Sequence, residues 1–194
     1  MRISGGEAKG RLIRIPVGSR VRPTTDRVRE ALFNIFSTVA EKTFLDLFAG
    51  SGIVGLEALS RGAAFSSFVE KDLRVAGALK ARIGELGYAA RAEVISAPAH
   101  KALDILRRSG KRFDVIFADP PYNEGLAAET VRLLENGELM APGGILVLQH
   151  SARETFGVLR AVPMLLTDKR RYGETVLSFF RKEASIGEAD NNLD

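Results

Sequence analysis

Four consecutive residues, Asp119-Pro120-Pro121-Tyr122, combine hydrogen-bond acceptors with an aromatic ring directly after an apolar run. The two prolines lack backbone N–H donors and have restricted φ angles, so the carbonyl groups of Asp119 and Pro120 are expected to face outward from a rigid turn. Acceptors held beside a ring suit a planar ligand that carries an amino group. The same residues are equally compatible with a strand-terminating turn that the tyrosine covers.

A second stretch, Leu45 to Gly55, contains the pattern Gly-x-Gly-x-x-Gly, with glycines at positions 50, 52 and 55. Glycines between a strand and a helix let the backbone approach a nucleotide-like cofactor closely. Glu70 follows 20 residues after Gly50 at the end of the next predicted strand, where a carboxylate can accept both hydroxyls of a ribose. On these features alone, a nicotinamide dinucleotide and S-adenosylmethionine are nearly equal candidates.

Asp46, just before the glycines, favours S-adenosylmethionine over a dinucleotide. A carboxylate at this position repels a pyrophosphate but attracts, directly or through water, the ammonium of a methionine moiety. An aspartate at a strand end is also common for purely structural reasons.

The predicted strands and helices that carry these residues alternate along the chain. Strands are predicted at 43–48, 65–70, 93–95, 113–118 and 144–149, and helices at 52–61, 72–86, 98–107 and 126–134. This order predicts an α/β, doubly wound, Rossmann-like, mostly parallel sheet of seven strands with helices on both faces. The runs 158–167 and 172–181, with Asp168 to Arg171 as their turn, predict an antiparallel carboxyl-terminal hairpin at one edge. In such sheets the carboxyl ends of the strands form one crevice, so the glycine loop, Glu70 and Asp119 are expected to meet there.

The composition limits the possible classes of protein. The chain has 194 residues with 45% hydrophobic content, no cysteine and only His100 and His150 as histidines. A core is therefore available, whereas disulfides and cysteine-based or histidine-based metal sites are not expected, and we assign both histidines structural roles. No signal peptide or apolar run long enough for a membrane span is evident, so we expect a soluble, cytoplasmic protein that acts as a monomer without a metal.

The positive charge is concentrated near the amino terminus. Residues 1–30 hold eight basic and three acidic side chains, against a net charge of +4 for the whole chain. Residues 1–20 are predicted to form a basic hairpin arm, 21–183 a single catalytic domain and 184–194 a disordered polar tail. After Thr24 and Thr25 a helix is expected to bury Val28, Leu32 and Phe36 and to turn Arg27 and Arg29 outward. A basic arm of this kind indicates a nucleic-acid partner, although a merely solubilising surface has the same composition.

The motifs together resemble a known family. The order of glycine loop, acidic strand end and Asp-Pro-Pro-Tyr resembles class I S-adenosylmethionine-dependent methyltransferases that modify exocyclic amines. Additional segments resemble the bacterial 16S ribosomal RNA guanine-N2 methyltransferase family, which modifies the guanine numbered 966. They are Gly5-Gly6, Lys9-Gly10-Arg11, Arg22-Pro23-Thr24, Arg27 to Asn34 and Arg171 to Thr175. The resemblance covers residues 2 to about 182.

The resemblance implies three sets of site residues and a 16S ribosomal RNA or small-subunit partner. The amine-binding and catalytic set is Asp119, Pro120, Pro121 and Tyr122. The cofactor-binding set is Asp46, Phe48, Ala49, Gly50, Ser51, Gly52, Glu70, Lys71, Ala97 and Asp119. The RNA-binding set is Arg2, Lys9, Arg11, Arg14, Arg22, Arg27 and Arg29.

One position departs from the family pattern. The family has an acid or amide for the cofactor's adenine amino group after the third strand, where this chain has Ala97-Pro98-Ala99. Proline suits the start of a helix, and the backbone of Ala97 remains available to the adenine ring, so we expect the pocket to persist with weaker adenine selectivity.

Three other functions remain open from the sequence. A DNA or other RNA methyltransferase acting on adenine N6 shares the central motifs. An NAD-dependent oxidoreductase fits the glycine loop, but no set of groups for hydride transfer accompanies it. A non-catalytic RNA-binding module would need only the basic arm.

Overall fold

The computed structural model describes residues 1–14, 25–36, 38–122, 124–154 and 164–182. The helices are α1 (Asp26–Ile35), α2 (Ile53–Ser60), α3 (Leu73–Glu85), α4 (Ala99–Arg108) and α5 (Leu126–Leu134). The strands are β1 (Thr43–Leu47), β2 (Phe65–Val69), β3 (Ala92–Ile95), β4 (Phe113–Ala118), β5 (Met140–Ser151), β6 (Met164–Tyr172) and β7 (Thr175–Lys182). Within the described residues no helix is long and apolar enough to cross a bilayer.

All seven strands join one sheet in the order β3-β2-β1-β4-β5-β7-β6. β1 to β5 run parallel, and β7 pairs antiparallel with both β5 and β6. The predicted fold class is confirmed. The strand order reverses between β1 and β4, which is where open α/β sheets form their ligand crevice.

Two hydrophobic cores lie on the two faces of the sheet because successive strand residues point to opposite sides. Phe44 packs with α1, α2 and α3 on one face, while Leu45 packs with α4 and α5 on the other. The central strands are therefore apolar on both sides, which explains their continuous hydrophobic sequence. Helix α2 is buried at all eight positions because α1 and the amino-terminal segment cover its outer side.

The amino-terminal segment, which was predicted as a basic hairpin arm, turns back on itself and packs against α2. Arg2 and Leu12 make an antiparallel bridge, and Ile3 and Ile13 are buried in the core. The Glu7 N–H donates to the Ser60 carbonyl at 2.8 Å, which fixes the turn to the last residue of α2. The predicted boundary at residue 20 and the polar tail at 184–194 lie outside the described residues.

The carboxyl-terminal hairpin lies at the sheet edge, but its predicted turn was wrong. Asp168 to Arg171 are part of β6, and the chain reverses at Gly173, which has a φ of 64°. A charged run is typical of turns, yet it is also typical of an edge strand, whose outward side chains face solvent and hinder pairing with other chains. Residues 158–163 of the predicted first run are not among the described residues.

Candidate active site

A cavity of about 950 Å³ opens at the carboxyl ends of the central strands. It brings together both motifs identified in the sequence, although they are far apart along the chain. The predicted site residues that line it are Asp46, Phe48, Ala49, Gly50, Ser51, Glu70, Lys71, Ala97, Asp119, Pro120, Pro121 and Tyr122.

The glycine loop is shaped by residues with positive φ and is held by Glu70. Phe48, Gly50 and Gly52 have φ values of 79°, 54° and 75°. Glu70 Oε2 accepts a hydrogen bond from the Gly50 N–H at 2.9 Å, and its Oε1 accepts one from the Asp72 N–H at 2.8 Å. The carboxylate thus fixes the loop to the end of β2, and each oxygen keeps a lone pair for a further donor.

Gly52 is the one residue of the predicted cofactor set that is absent from the cavity wall. A Cβ at Gly52 would lie 2.3 Å from Leu79 Cδ1, so the glycine lets the start of α2 pack against α3. The Leu79 contact gives this glycine a packing role, and its place in the cofactor set stays a prediction. The motif glycines therefore serve two purposes, since only Gly50 borders the cavity and Gly55 packs against Phe68.

The carboxyl group of Asp46 is buried beneath the loop, with a residue exposure of 2%. Its Oδ2 accepts a hydrogen bond from the Gly55 N–H at 2.9 Å. Burial raises the pKa of Asp46 to about 7, the Gly55 hydrogen bond opposes the rise, and the nearby Glu70 charge adds to it. Because an unpaired buried carboxylate is costly, a cation bound in the cavity would favour the ionised form.

The Asp-Pro-Pro-Tyr segment leaves β4 at the cavity wall. Pro120 is buried, whereas Asp119 and Tyr122 are half-buried. The Tyr122 hydroxyl accepts a hydrogen bond from Gln149 Nε2 at 3.1 Å, which links the segment to β5. This hydrogen bond holds the tyrosine ring at its hydroxyl end, opposite the bond that joins it to the backbone.

The segment after β3 also borders the cavity. Pro98 precedes the first residue of α4, and its carbonyl accepts the N–H of Ala102 at 3.0 Å. The Ala97 N–H donates to the Ile95 carbonyl at 3.1 Å. The carbonyl and methyl groups of Ala97 are therefore the ones that can contact the adenine ring of a cofactor. Pro98 has the helix-starting role expected from the sequence.

The two histidines differ in their surroundings. His100 lies on α4, as predicted, but its side chain is exposed and borders the cavity instead of packing in the core. His150 is buried and contacts Ser178 Oγ at 2.8 Å and the Ser151 carbonyl at 2.9 Å. Burial lowers the pKa of His150, consistent with a neutral, structural imidazole.

The predicted RNA-binding residues divide into exposed and buried members. The exposed ones are Arg2, Lys9, Arg11, Arg14 and Arg27, and Arg22 lies outside the described residues. The turn that carries Lys9 and Arg11 contacts Ser60 at the end of α2, whereas the cavity borders Ile53 at its start. The length of α2, about 12 Å for eight residues, therefore separates this charge from the cavity.

The prediction that Arg29 contacts RNA is wrong. Arg29 is 1% exposed, and its Nε lies 3.1 Å from Glu57 Oε2. Its Nη1 contacts Asp26 at 2.9 Å, and its Nη2 donates to the Arg2 carbonyl at 2.6 Å. This guanidinium connects α1, α2 and the amino-terminal segment, and it is not available to a phosphate.

Several cavity residues were not predicted. Glu124, Glu129 and Thr130 border the cavity from the region around α5, which has no recognisable motif. Gln149 donates a hydrogen bond to Tyr122, and its polar side chain directly after the apolar run of β5 was a usable signal. Among the described residues no cluster of histidine, aspartate and glutamate has the arrangement of a metal site.

Known proteins resemble this chain over nearly its whole length. A family model described as "Conserved hypothetical protein 95" matches residues 1–181. "Ribosomal RNA small subunit methyltransferase D" of Escherichia coli (strain K12) is 35% identical over 191 residues, covering 98% of this chain and 93% of the relative. "Putative rRNA methyltransferase YlbH" of Bacillus subtilis (strain 168) is 34% identical, covering 94% and 99%.

A solved structure described as "Putative methyltransferase yhhF from Escherichia coli" has the same fold. Its TM-score is 0.80 at 34% identity, and the match covers 95% of this chain and 98% of that one. The cavity residues and these similarities agree with a methyltransferase and leave the nicotinamide alternative without support. The chain therefore belongs to the ribosomal RNA methyltransferase family of small subunit methyltransferase D.

Proposed function

We propose that this protein transfers the methyl group of S-adenosylmethionine to the exocyclic N2 amine of a guanine in 16S ribosomal RNA of the small subunit. The observation that carries the proposal is that Asp119 and Tyr122 border the same cavity as Gly50 and Glu70. An amine clamp and a cofactor loop on one cavity are what a methyl transfer to nitrogen requires.

The residues of the cavity fit the cofactor. Glu70 would accept the ribose hydroxyls with its remaining lone pairs, Asp46 would face the ammonium, and Ala97 would contact the adenine ring. When bound, the cofactor supplies an electrophilic methyl group on a sulfonium. The chain itself must therefore bind the cofactor and the target base, orient them and exclude water.

Asp119 and the Pro120 carbonyl would hold the target amine. The guanine N2 lone pair is delocalised into the ring, so two acceptors on its N–H groups favour the pyramidal, nucleophilic nitrogen. Tyr122 would stack on the base, which must first leave its stacked position in the RNA. Asp119 does not have to act as a general base, because the proton can leave the nitrogen after methyl transfer.

The exposed basic side chains would bind the RNA backbone. Arg2, Lys9, Arg11, Arg14 and Arg27 carry this prediction, with Arg22 in the sequence between them. The name of the Escherichia coli relative, a small subunit methyltransferase, supports the small-subunit RNA as the substrate. We infer a monomer that acts in the cytoplasm, where this substrate occurs.

The principal alternative is transfer to adenine N6 in DNA or another RNA, since an Asp-Pro-Pro-Tyr clamp accepts any exocyclic amine. The test is to incubate the protein and methyl-labelled cofactor with unmethylated small subunits, naked 16S RNA and duplex DNA. Digestion to nucleosides should yield N2-methylguanosine, and mapping of RNA fragments should locate it at a single position. Formation of N6-methyladenosine, or transfer to duplex DNA with none to RNA, would refute the guanine assignment.

A further inference from the structure

We propose that Gln149 is a positioning residue for methyl transfer, acting through Tyr122. Gln149 Nε2 donates to the Tyr122 hydroxyl at 3.1 Å, and the two residues are 27 positions apart in the sequence. The inference rests on the proposed function, because it assumes that Tyr122 stacks on the target base. It adds a residue that belongs to neither the glycine loop nor the Asp-Pro-Pro-Tyr segment.

The sheet register places Gln149 beside the clamp. β4 and β5 are parallel neighbours, and Ala118 pairs with Leu148. Asp119 and Gln149 follow these two residues directly, so they lie side by side on adjacent strands, Asp119 just past the end of β4 and Gln149 two residues before the end of β5. Val147 and Phe117 pack in the same core on one face, and strand alternation directs Gln149 to that face as well.

The fold does not by itself explain a glutamine at this position. Gln149 is 5% exposed, its neighbours Leu148 and His150 are buried, and its partner on β7 is the buried Leu177. Its Oε1 is buried and has no hydrogen-bond partner within the described residues. A buried amide with an unsatisfied carbonyl costs folding free energy, so an apolar side chain would suit the sheet better.

The hydrogen bond that this amide donates to Tyr122 therefore points to a functional role. Tyr122 follows two prolines, which restrict its backbone, and the Gln149 amide restrains the opposite end of its side chain. Together they fix the plane of the ring against which the target base must stack. An unrestrained ring would lower the fraction of complexes in which the base is in line with the methyl group.

Four variants test the proposal: Gln149→Met, Tyr122→Phe, the double variant, and Gln149→Glu, whose carboxyl oxygen can accept a hydrogen bond from the tyrosine hydroxyl in place of donating one. Each is assayed for methyl incorporation into small-subunit RNA, for cofactor affinity by calorimetry and for melting temperature. Gln149→Met should lower kcat/KM by about 2- to 12-fold, the factor that corresponds to one net hydrogen bond. Its cofactor affinity should stay unchanged, and its melting temperature should be equal to or above that of the parent protein.

Tyr122→Phe should show a similar loss, and the double variant should be no worse than either single one because both remove the same hydrogen bond. Gln149→Glu should retain most of the activity. Additive losses, or a Gln149→Met variant that melts lower while its folded fraction is fully active, would overturn the proposal. The identity of the methylated nucleoside is read separately, so an error in the guanine assignment is distinguishable from a failure of the Gln149–Tyr122 coupling.

Discussion

The Asp46 carboxylate accepts a hydrogen bond from the backbone N–H of Gly55 at 2.9 Å, across the whole length of the glycine loop. The contact closes the loop from β1 to the first turn of α2 and buries the carboxyl group beneath it. Asp46 is thus both a support for the loop and the acid that faces the cavity, with a pKa of about 7.

Cofactor affinity should depend on pH through Asp46. A bound ammonium favours the ionised carboxylate, so the free protein must release a proton on binding when the pH is below the raised pKa. With a pKa of about 7, the dissociation constant should rise about fivefold between pH 7 and pH 6. Calorimetry in buffers of different ionisation enthalpy would measure both the affinity and the proton release.

The matched control is Asp46→Asn, whose side-chain oxygen can still accept the Gly55 N–H but does not titrate in this range. This variant should bind the cofactor more weakly than the parent at pH 7.5 and show a flat profile from pH 6 to 7. A parent profile that is equally flat would show that Asp46 does not face the cofactor's charge.

Replacement of Asp119 by alanine should remove methyl transfer and leave cofactor binding largely intact. The change deletes one of two acceptors for the target amine, which we expect to cost about 100-fold or more in kcat. The loop and the Glu70 contacts are unaffected, because Glu70 is held by Gly50 and Asp72. Single-turnover methyl incorporation and calorimetry give the two values, and near-parent turnover would contradict the amine-clamp assignment.

Two glycines in helices should respond to alanine in opposite ways. A Cβ at Gly55 would lie 2.3 Å from Phe68 Cε1, and Phe68 is fully buried in β2. Overpacking of this kind should destabilise Gly55→Ala by about 1–3 kcal/mol. A Cβ at Gly77 in α3 meets nothing within 4 Å, so Gly77→Ala should stabilise the protein by about 0.5–1 kcal/mol through helix propensity.

Urea unfolding of both variants measures these free energies under the same conditions. Gly77→Ala serves as the control for the substitution itself. If both variants changed the unfolding free energy equally, the Phe68 side chain must move easily enough to accommodate the added methyl group.

Arg29 and Arg27 lie two residues apart on α1, yet their alanine variants should have different effects. One should lose stability and the other RNA affinity. Arg29→Ala removes a buried cation from Glu57, which is 0% exposed, and should cost about 3 kcal/mol of unfolding free energy. Arg27 is exposed, so Arg27→Ala should change stability by less than about 0.5 kcal/mol. We expect Arg27→Ala instead to weaken RNA binding and to reduce the salt slope by about 1.

Filter binding of 16S RNA at several salt concentrations, together with urea unfolding, distinguishes the two effects. An Arg27→Ala variant with an unchanged salt slope would identify this charge as ordinary solubilising surface.

Local patterns were sufficient for much of the site. Gly50, Glu70 and Asp119 were each recognisable because they follow apolar strands, and the topology of a parallel sheet requires strand ends to meet. Arg29 was misassigned because its partner Glu57 lies on another helix, α2. The residues near Arg29 in the sequence, such as Val28 and Leu32, do not reveal that contact. Asp168 to Arg171 were misassigned because a charged run is compatible with both a turn and an exposed edge strand.

Four features were readable from the amino-acid sequence alone: the alternation of strands and helices, the glycine loop, the proline-rich exit from β4 and the resemblance to a ribosomal RNA methyltransferase family. Each of these depends on the order of residues along short stretches of chain. The folded chain was needed to show that Glu70 accepts a hydrogen bond from Gly50, that Gly52 packs against Leu79, that Arg29 is buried and that Gln149 donates a hydrogen bond to Tyr122. These relationships join residues that are distant in sequence, and no local preference encodes which side chains a folded sheet brings into contact.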